Sequence, residues 1–153
     1  MRYEFIGPFV SSTIHVLDKV VQCDITKGNL SLISSREMSG DIAVMIEVQD
    51  QAAGSIIVNM DSSTAIRISN IMNGEHADSL SALAIDSIAE LANMIAGNAV
   101  SSLNDLGFDF KMRSPRFLTL ENIAEDRSGR EIFQIPLFTE CGEITVNALL
   151  EEH

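Results

Sequence analysis

Asp78-Ser-Leu-Ser-Ala-Leu-Ala-Ile-Asp86-Ser-Ile-Ala-Glu90-Leu-Ala-Asn93-Met-Ile-Ala-Gly97-Asn98-Ala-Val-Ser101-Ser-Leu-Asn104-Asp-Leu-Gly107 is the longest helical pattern in the chain. Asp78 and Ser79 are good caps and Gly107 is a stop, so the pattern predicts a helix from Ser79 to about Leu106. With Asp86 set at zero and about 100° added per residue, Glu90 falls near +40°, Asn93 near −20°, Gly97 near +20°, Ser101 near +60° and Asn104 near 0°. One narrow stripe holds nearly all the polar groups. Ile88, Leu91, Ala92, Ile95, Ala99 and Leu103 take the opposite face, which is broad enough to lie on a sheet. The interruptions at Asp86, Glu90, Asn93 and Asn98 exclude a membrane span, which needs about 20 predominantly apolar residues.

Outward from this helix, the chain alternates in ways that predict a mixed sandwich. Val10, Ile14, Leu17 and Val21 recur at helical spacing behind Pro8, a residue suited to a helix's first turn, which predicts a helix over Pro8–Gln22. Lys27-Gly28-Asn29 closes the connection to a short strand at Leu30–Ser34. Asp41–Val48 and Ser55–Met60, joined by a turn-like segment, predict a hairpin. Asp61, Ser62 and Ser63 can cap a helix over Ser63–Met72, and Asn73-Gly74 can end it in the left-handed conformation. After the long helix come Phe108–Leu120, interrupted at Pro115, then Glu131–Phe138 and Glu143–Leu150. Turns are expected at Asp126–Gly129 and at Glu140-Cys141-Gly142. The order α-β-β-β-α-α-β-β-β is that of an α/β (α+β) sandwich, an antiparallel sheet packed by a long helix. No linker divides residues 1–153, so a single domain is expected.

Composition narrows the function. With 153 residues and 46% hydrophobic content the chain can bury roughly 70% of its unfolded surface and needs no staple. Ten Lys and Arg against 22 Asp and Glu give a net charge of −12, and there is no Trp and one Tyr. That balance argues against nucleic acid and against an anionic membrane surface, both of which demand cations. Cys23 and Cys141 form no C-x-x-C pair and read as free thiols of a cytoplasmic protein, and the apolar run of a signal peptide is missing from the first residues. His15, His76 and His153 are scattered, so no metal ligand set is signalled. Walker, G-x-S-x-G and G-x-G-x-x-G patterns are missing. Met38, Met45, Met60, Met72, Met94 and Met112 read as gap-fillers in the core.

The stripe on the long helix has two readings. It can be an ordinary solvated face. Against that, no Lys or Arg occurs between Arg67 and Lys111, whereas a plain solvent face usually mixes charge signs. Asn93 and Gly97 also sit mid-helix, where Gly costs about 0.8–1 kcal/mol relative to Ala. The small residues Ala96, Gly97 and Ala99 are expected to admit another molecule close to the backbone. Glu90 and Asn93, three residues apart, point the same way and can engage one partner together.

Asp86-Ser-Ile-Ala-Glu90-Leu-Ala-Asn93-Met-Ile-Ala-Gly97-Asn98-Ala resembles the signature helix of the CheC/CheX/FliY chemotaxis phosphatases, in which Asp or Ser is followed by Glu, then Asn, then a more distant Pro. The single motif, the short chain and the opening Phe5-Ile-Gly-Pro-Phe-Val10 are more similar to CheX than to CheC, and the order of elements matches over essentially the whole chain. Two positions depart from the pattern: Pro115 follows Asn93 after 21 residues where CheC has 22, and Gly7 stands where many relatives have Asn. The resemblance implies hydrolysis of the aspartyl phosphate on a CheY-like receiver domain, with Asn93 orienting the attacking water and Glu90 pairing with the receiver's Lys. Asp86 and Gly97 would support docking. It implies no cofactor bound by this chain, Mg²⁺ on the phosphorylated receiver, and a homodimer pairing sheets edge to edge; the Val- and Ile-rich Ile144-Thr145-Val146 is the edge expected to need covering. The alternative it leaves open is a non-catalytic adaptor of the same fold that binds a response regulator or a flagellar switch component.

Overall fold

The computed structural model describes residues 3–22, 24–34, 37–50, 53–119 and 131–151. Its centre is an antiparallel sheet. β3 (Ile42–Asp50) and β4 (Ala53–Met60) form the expected hairpin, with Val44 opposite Val58 and Ile46 opposite Ile56. β8 (Gly142–Glu151) pairs with the other edge of β4, and β7 (Glu131–Thr139) pairs with β8. Two short strands, β1 (Thr26–Lys27) and β2 (Ser31–Ser34), lie along β7; β5 (Phe110–Met112) and β6 (Arg116–Thr119), separated by the expected break around Pro115, lie along β3.

The period of two along these strands assigns their faces. Ile42, Val44, Ile46 and Val48 of β3, Ile56, Val58 and Met60 of β4, and Ile144, Val146 and Ala148 of β8 are all buried toward the helices. The helices are α1 (Tyr3–Val21), α2 (Ser62–Asn73) and α3 (Ala82–Asp105). Ile6, Phe9 and Leu17 of α1 and Ile88, Leu91, Ile95 and Leu103 of α3 complete one continuous core. The far face of the sheet carries a smaller apolar cluster around Met38, Ala43 and Ile132, and a buried polar row of Asn59, Thr145 and Asn147. Asn59 donates to the Ser39 carbonyl and accepts from Thr145 and Asn147, while Asn147 donates to the Ile57 carbonyl at 3.1 Å and accepts from Gln134 at 2.8 Å. The row is buried and satisfied.

Several expectations are corrected. α1 begins five residues before Pro8, so that proline lies inside the helix. Its ring and missing N–H face only residue 4, within the helix's first turn, and burial of Ile6 and Phe9 outweighs that local loss. Lys27 belongs to a strand, and Gly28 donates its N–H to the Pro136 carbonyl at 2.8 Å. β2 pairs with β7, and the sheet has two more strands than expected, because Thr26–Lys27 forms β1 and the stretch after α3 is split into β5 and β6. β8 lies between β4 and β7, so Ile144–Val146 is interior and presents no edge. Asp61 is the N-cap residue of α2 but makes no side-chain cap bond; the Asp41 carboxylate instead accepts from the Ser62 amide and hydroxyl. α3 starts at Ala82 because Ser81, not Ser79, accepts the Ala84 N–H at 3.2 Å. Gly74 is left-handed as expected, and the tight turn of the β7–β8 hairpin puts Gly142 at φ 137°, where a Cβ would collide with Thr64 of α2. The Asp126–Gly129 turn, Cys23 and His153 lie outside the described residues. Among the described residues, no helix is long and apolar enough to cross a membrane.

Candidate functional site

α3 divides its surface as its periodicity requires. Ala84, Ile88, Leu91, Ala92, Ile95, Ala99 and Leu103 are buried, and this apolar side is shared between α1 and the sheet rather than given to the sheet alone. Asp86, Glu90 and Asn93 are exposed on the opposite side. Glu90 and Asn93 lie about 4.5 Å apart along the axis and about 60° apart around it, so one bound molecule can touch both. The helix supplies a rigid platform, because the turns before and after this pair are anchored by core residues.

The polar groups of α3 separate into two kinds. Ser87 is buried and accepts from Asn73 at 2.7 Å, tying α3 to α2. Asn98 accepts from Ser12 of α1 at 3.3 Å. Asn104, expected within the stripe, instead accepts the Phe110 N–H at 2.9 Å and secures β5 as the chain turns back through Gly107. Asp86, Glu90 and Asn93 differ: among the described residues their side chains have no hydrogen-bond or ion-pair partner. Three polar side chains are therefore held on a rigid helix and turned to solvent.

Gly97 continues the stripe one turn beyond Asn93. It is half-buried with ordinary helical backbone, and a Cβ placed there would meet nothing within 4 Å. No internal packing calls for the missing side chain. Ala96 and Ala99, expected to join Gly97 in a small-residue surface, are fully buried, so only Gly97 offers close approach. Met94, read from sequence as a core residue, is 40% exposed, and Leu83 in the first turn of α3 is 47% exposed. Their helical angles, near +80° and +60° on the scale that puts Glu90 near +40°, carry that signal; hydrophobicity alone hid it. Pro115 is half-buried in the β5–β6 connection, and Gly7 has open space around its Cβ position in α1. Among the described residues, no group of three or more His, Cys, Asp or Glu is arranged to hold a metal ion.

Residues 42–138, which contain the stripe, match the family model of the chemotaxis phosphatase CheX. The CheY-P phosphatase CheX of Thermotoga maritima is 28% identical over 108 residues, 70% of each chain. Among solved structures, a CheC-like superfamily protein from Shewanella superposes with a TM-score of 0.85 at 25% identity over 99% of both chains. The CheX of Borrelia burgdorferi, solved as a CheX-CheY-BeF₃-Mg²⁺ complex, gives 0.83 at 27% identity over 99% of this chain and 100% of that one. The fold, the span of the match and the motif on its longest helix agree, and the chain belongs to the CheX family of chemotaxis phosphatases.

Proposed function

We propose that the chain is a cytoplasmic phosphatase that removes the aspartyl phosphate of a CheY-like receiver domain. The observation that carries this reading is the exposed Glu90–Asn93 pair, without a side-chain partner among the described residues and held at one-turn spacing on a rigid helix in a CheX-family chain. The relatives support it: one is a CheY-P phosphatase and another is solved bound to CheY.

The chemistry needs little more than position. In acyl-phosphate hydrolysis a water oxygen bonds to phosphorus as the bond to the aspartyl oxygen breaks. Inorganic phosphate leaves carrying both of the water's protons, one of which it can release to solvent, and the receiver's carboxylate is restored. Such transfer depends on an in-line nucleophile and on charge stabilisation rather than on a covalent protein intermediate. The Asn93 carboxamide is suited to the first role: its Oδ1 accepts from the water and aims the lone pair at phosphorus. The Glu90 carboxylate pairs with a receiver lysine and fixes register. Asp86, one turn earlier, adds negative charge to the docking face, and Gly97 lets the receiver approach the helix backbone. The stripe has no cation of its own, so Lys and Mg²⁺ come from the receiver.

Phosphate release from a phosphorylated receiver with Mg²⁺ tests this directly. The chain should accelerate release well beyond the receiver's own decay; equal rates would leave a non-catalytic adaptor. Glu90→Ala should weaken receiver binding and slow hydrolysis together, and unchanged affinity would remove the lysine pairing. The homodimer belongs to the same proposal. With β8 interior, its edge would have to come from the β1–β2 or β5–β6 side of the sheet, and light scattering of a dilute monomer would remove it.

A further inference from the structure

Glu90 is exposed, and an ion pair at an exposed carboxylate contributes little in water, too little to fix the register of a protein complex. Its surroundings on α3 change that. Leu83 lies two turns before Glu90, about 10 Å along the axis, and Met94 one turn after it, about 6 Å. All three fall in one row, and both apolar side chains are unusually open, at 47% and 40% exposed. The core does not need those exposed surfaces, and neither residue lies on the buried face of the helix.

We propose that Leu83 and Met94 form an apolar collar that dehydrates the ion pair of Glu90 when the receiver docks; this deepens, and rests on, the phosphatase reading above. The occupant is the receiver's lysine. Its four-carbon stem packs against Met94 while its ammonium reaches the carboxylate, and Leu83, on the other side of Glu90, meets the receiver surface beside that lysine. Apolar contact on both sides of Glu90 limits the access of water, lowers the local dielectric and strengthens the charge pair, as around energetic centres of protein interfaces. The chain offers that carboxylate no cation between Arg67 and Lys111, so the collar is completed only by a cation-bearing partner. Met94 and Leu83 are thus affinity determinants, while Asn93 serves the chemical step.

The test is a titration with receiver locked by beryllofluoride and Mg²⁺, run beside steady-state phosphate release at several salt concentrations. The Leu83→Ser/Met94→Ser double variant should bind about tenfold more weakly, the loss expected from two partly exposed apolar side chains, with turnover at saturation within about twofold of wild type. Its binding should also become more salt-sensitive, because the carboxylate stays wet. Met94→Leu should keep wild-type affinity, and Met94→Gln, which preserves helix propensity, covers the case in which the double variant folds poorly. Unchanged affinity and salt response, or a loss confined to saturated turnover, would overturn the collar. Wild-type protein that neither binds nor dephosphorylates the receiver would overturn the phosphatase reading and the collar with it, whereas active wild type with indifferent variants would sink the collar alone.

Discussion

On the far side of the sheet, Asn59 and Asn147 are each 1% exposed and bonded to each other, to Thr145, to Gln134 and to backbone carbonyls. On α3, Asn93 is exposed and, among the described residues, its side chain bonds nothing. The side chain is the same, and burial sets what it does. A buried carboxamide must find partners, because an unpaired one costs about 1–3 kcal/mol, so it serves the fold. One placed mid-helix in water gains little for the fold and is free for another molecule. Asn98 and Asn104 sharpen the contrast, since both lie on α3 near Asn93 and both are spent on internal bonds.

If the two regions divide labour in this way, substitutions should separate activity from stability. The largest effect falls on activity: Asn93→Ala should reduce phosphate release from a phosphorylated receiver by about a hundredfold or more, the scale of lost positioning of a reacting group. Its urea midpoint should stay at or slightly above wild type, because Ala is the better helix former. Next, Asn59→Ala should lower unfolding free energy by about 2 kcal/mol, by stranding the Ser39 carbonyl and loosening Thr145 and Asn147, while turnover per folded molecule stays near wild type. Equal effects of the two substitutions on both readouts would break the comparison. The smallest is Gly97→Ala. Nothing in the chain obstructs the added methyl, so denaturation should show a gain of about 0.5–1 kcal/mol, while receiver binding weakens. Tighter binding would show that close approach at Gly97 is unnecessary.

Local chemistry made much of this molecule legible in its sequence. The period of α3, its stop at Gly107, the left-handed Gly74 after α2, the Asp41–Met60 hairpin and the β7–β8 hairpin all follow from apolar spacing and turn residues close together in the chain. Long-range choices were not legible. β2 could have joined β3, and only the assembled sheet puts Ile33 opposite Ile132. β8 has the look of an edge strand because its Val and Ile alternate, yet the same alternation serves a strand flanked on both sides. Within the site, Asp86, Glu90, Asn93 and Gly97 fall where their helical angles put them. Asn104 shares the angle but not the role, because its position at the end of the helix brings the β5 backbone within reach. Met94 was obscured by its residue class, and Ala96 and Ala99 by their size.

The division of roles between Glu90 and Asn93 is measured most directly by the affinity of Asn93→Ala for a receiver locked with beryllofluoride and Mg²⁺. If Asn93 positions water while Glu90 and its apolar neighbours hold the receiver, that affinity stays within about twofold of wild type while turnover collapses. An affinity that falls in proportion to turnover would make Asn93 a docking residue and contradict the account.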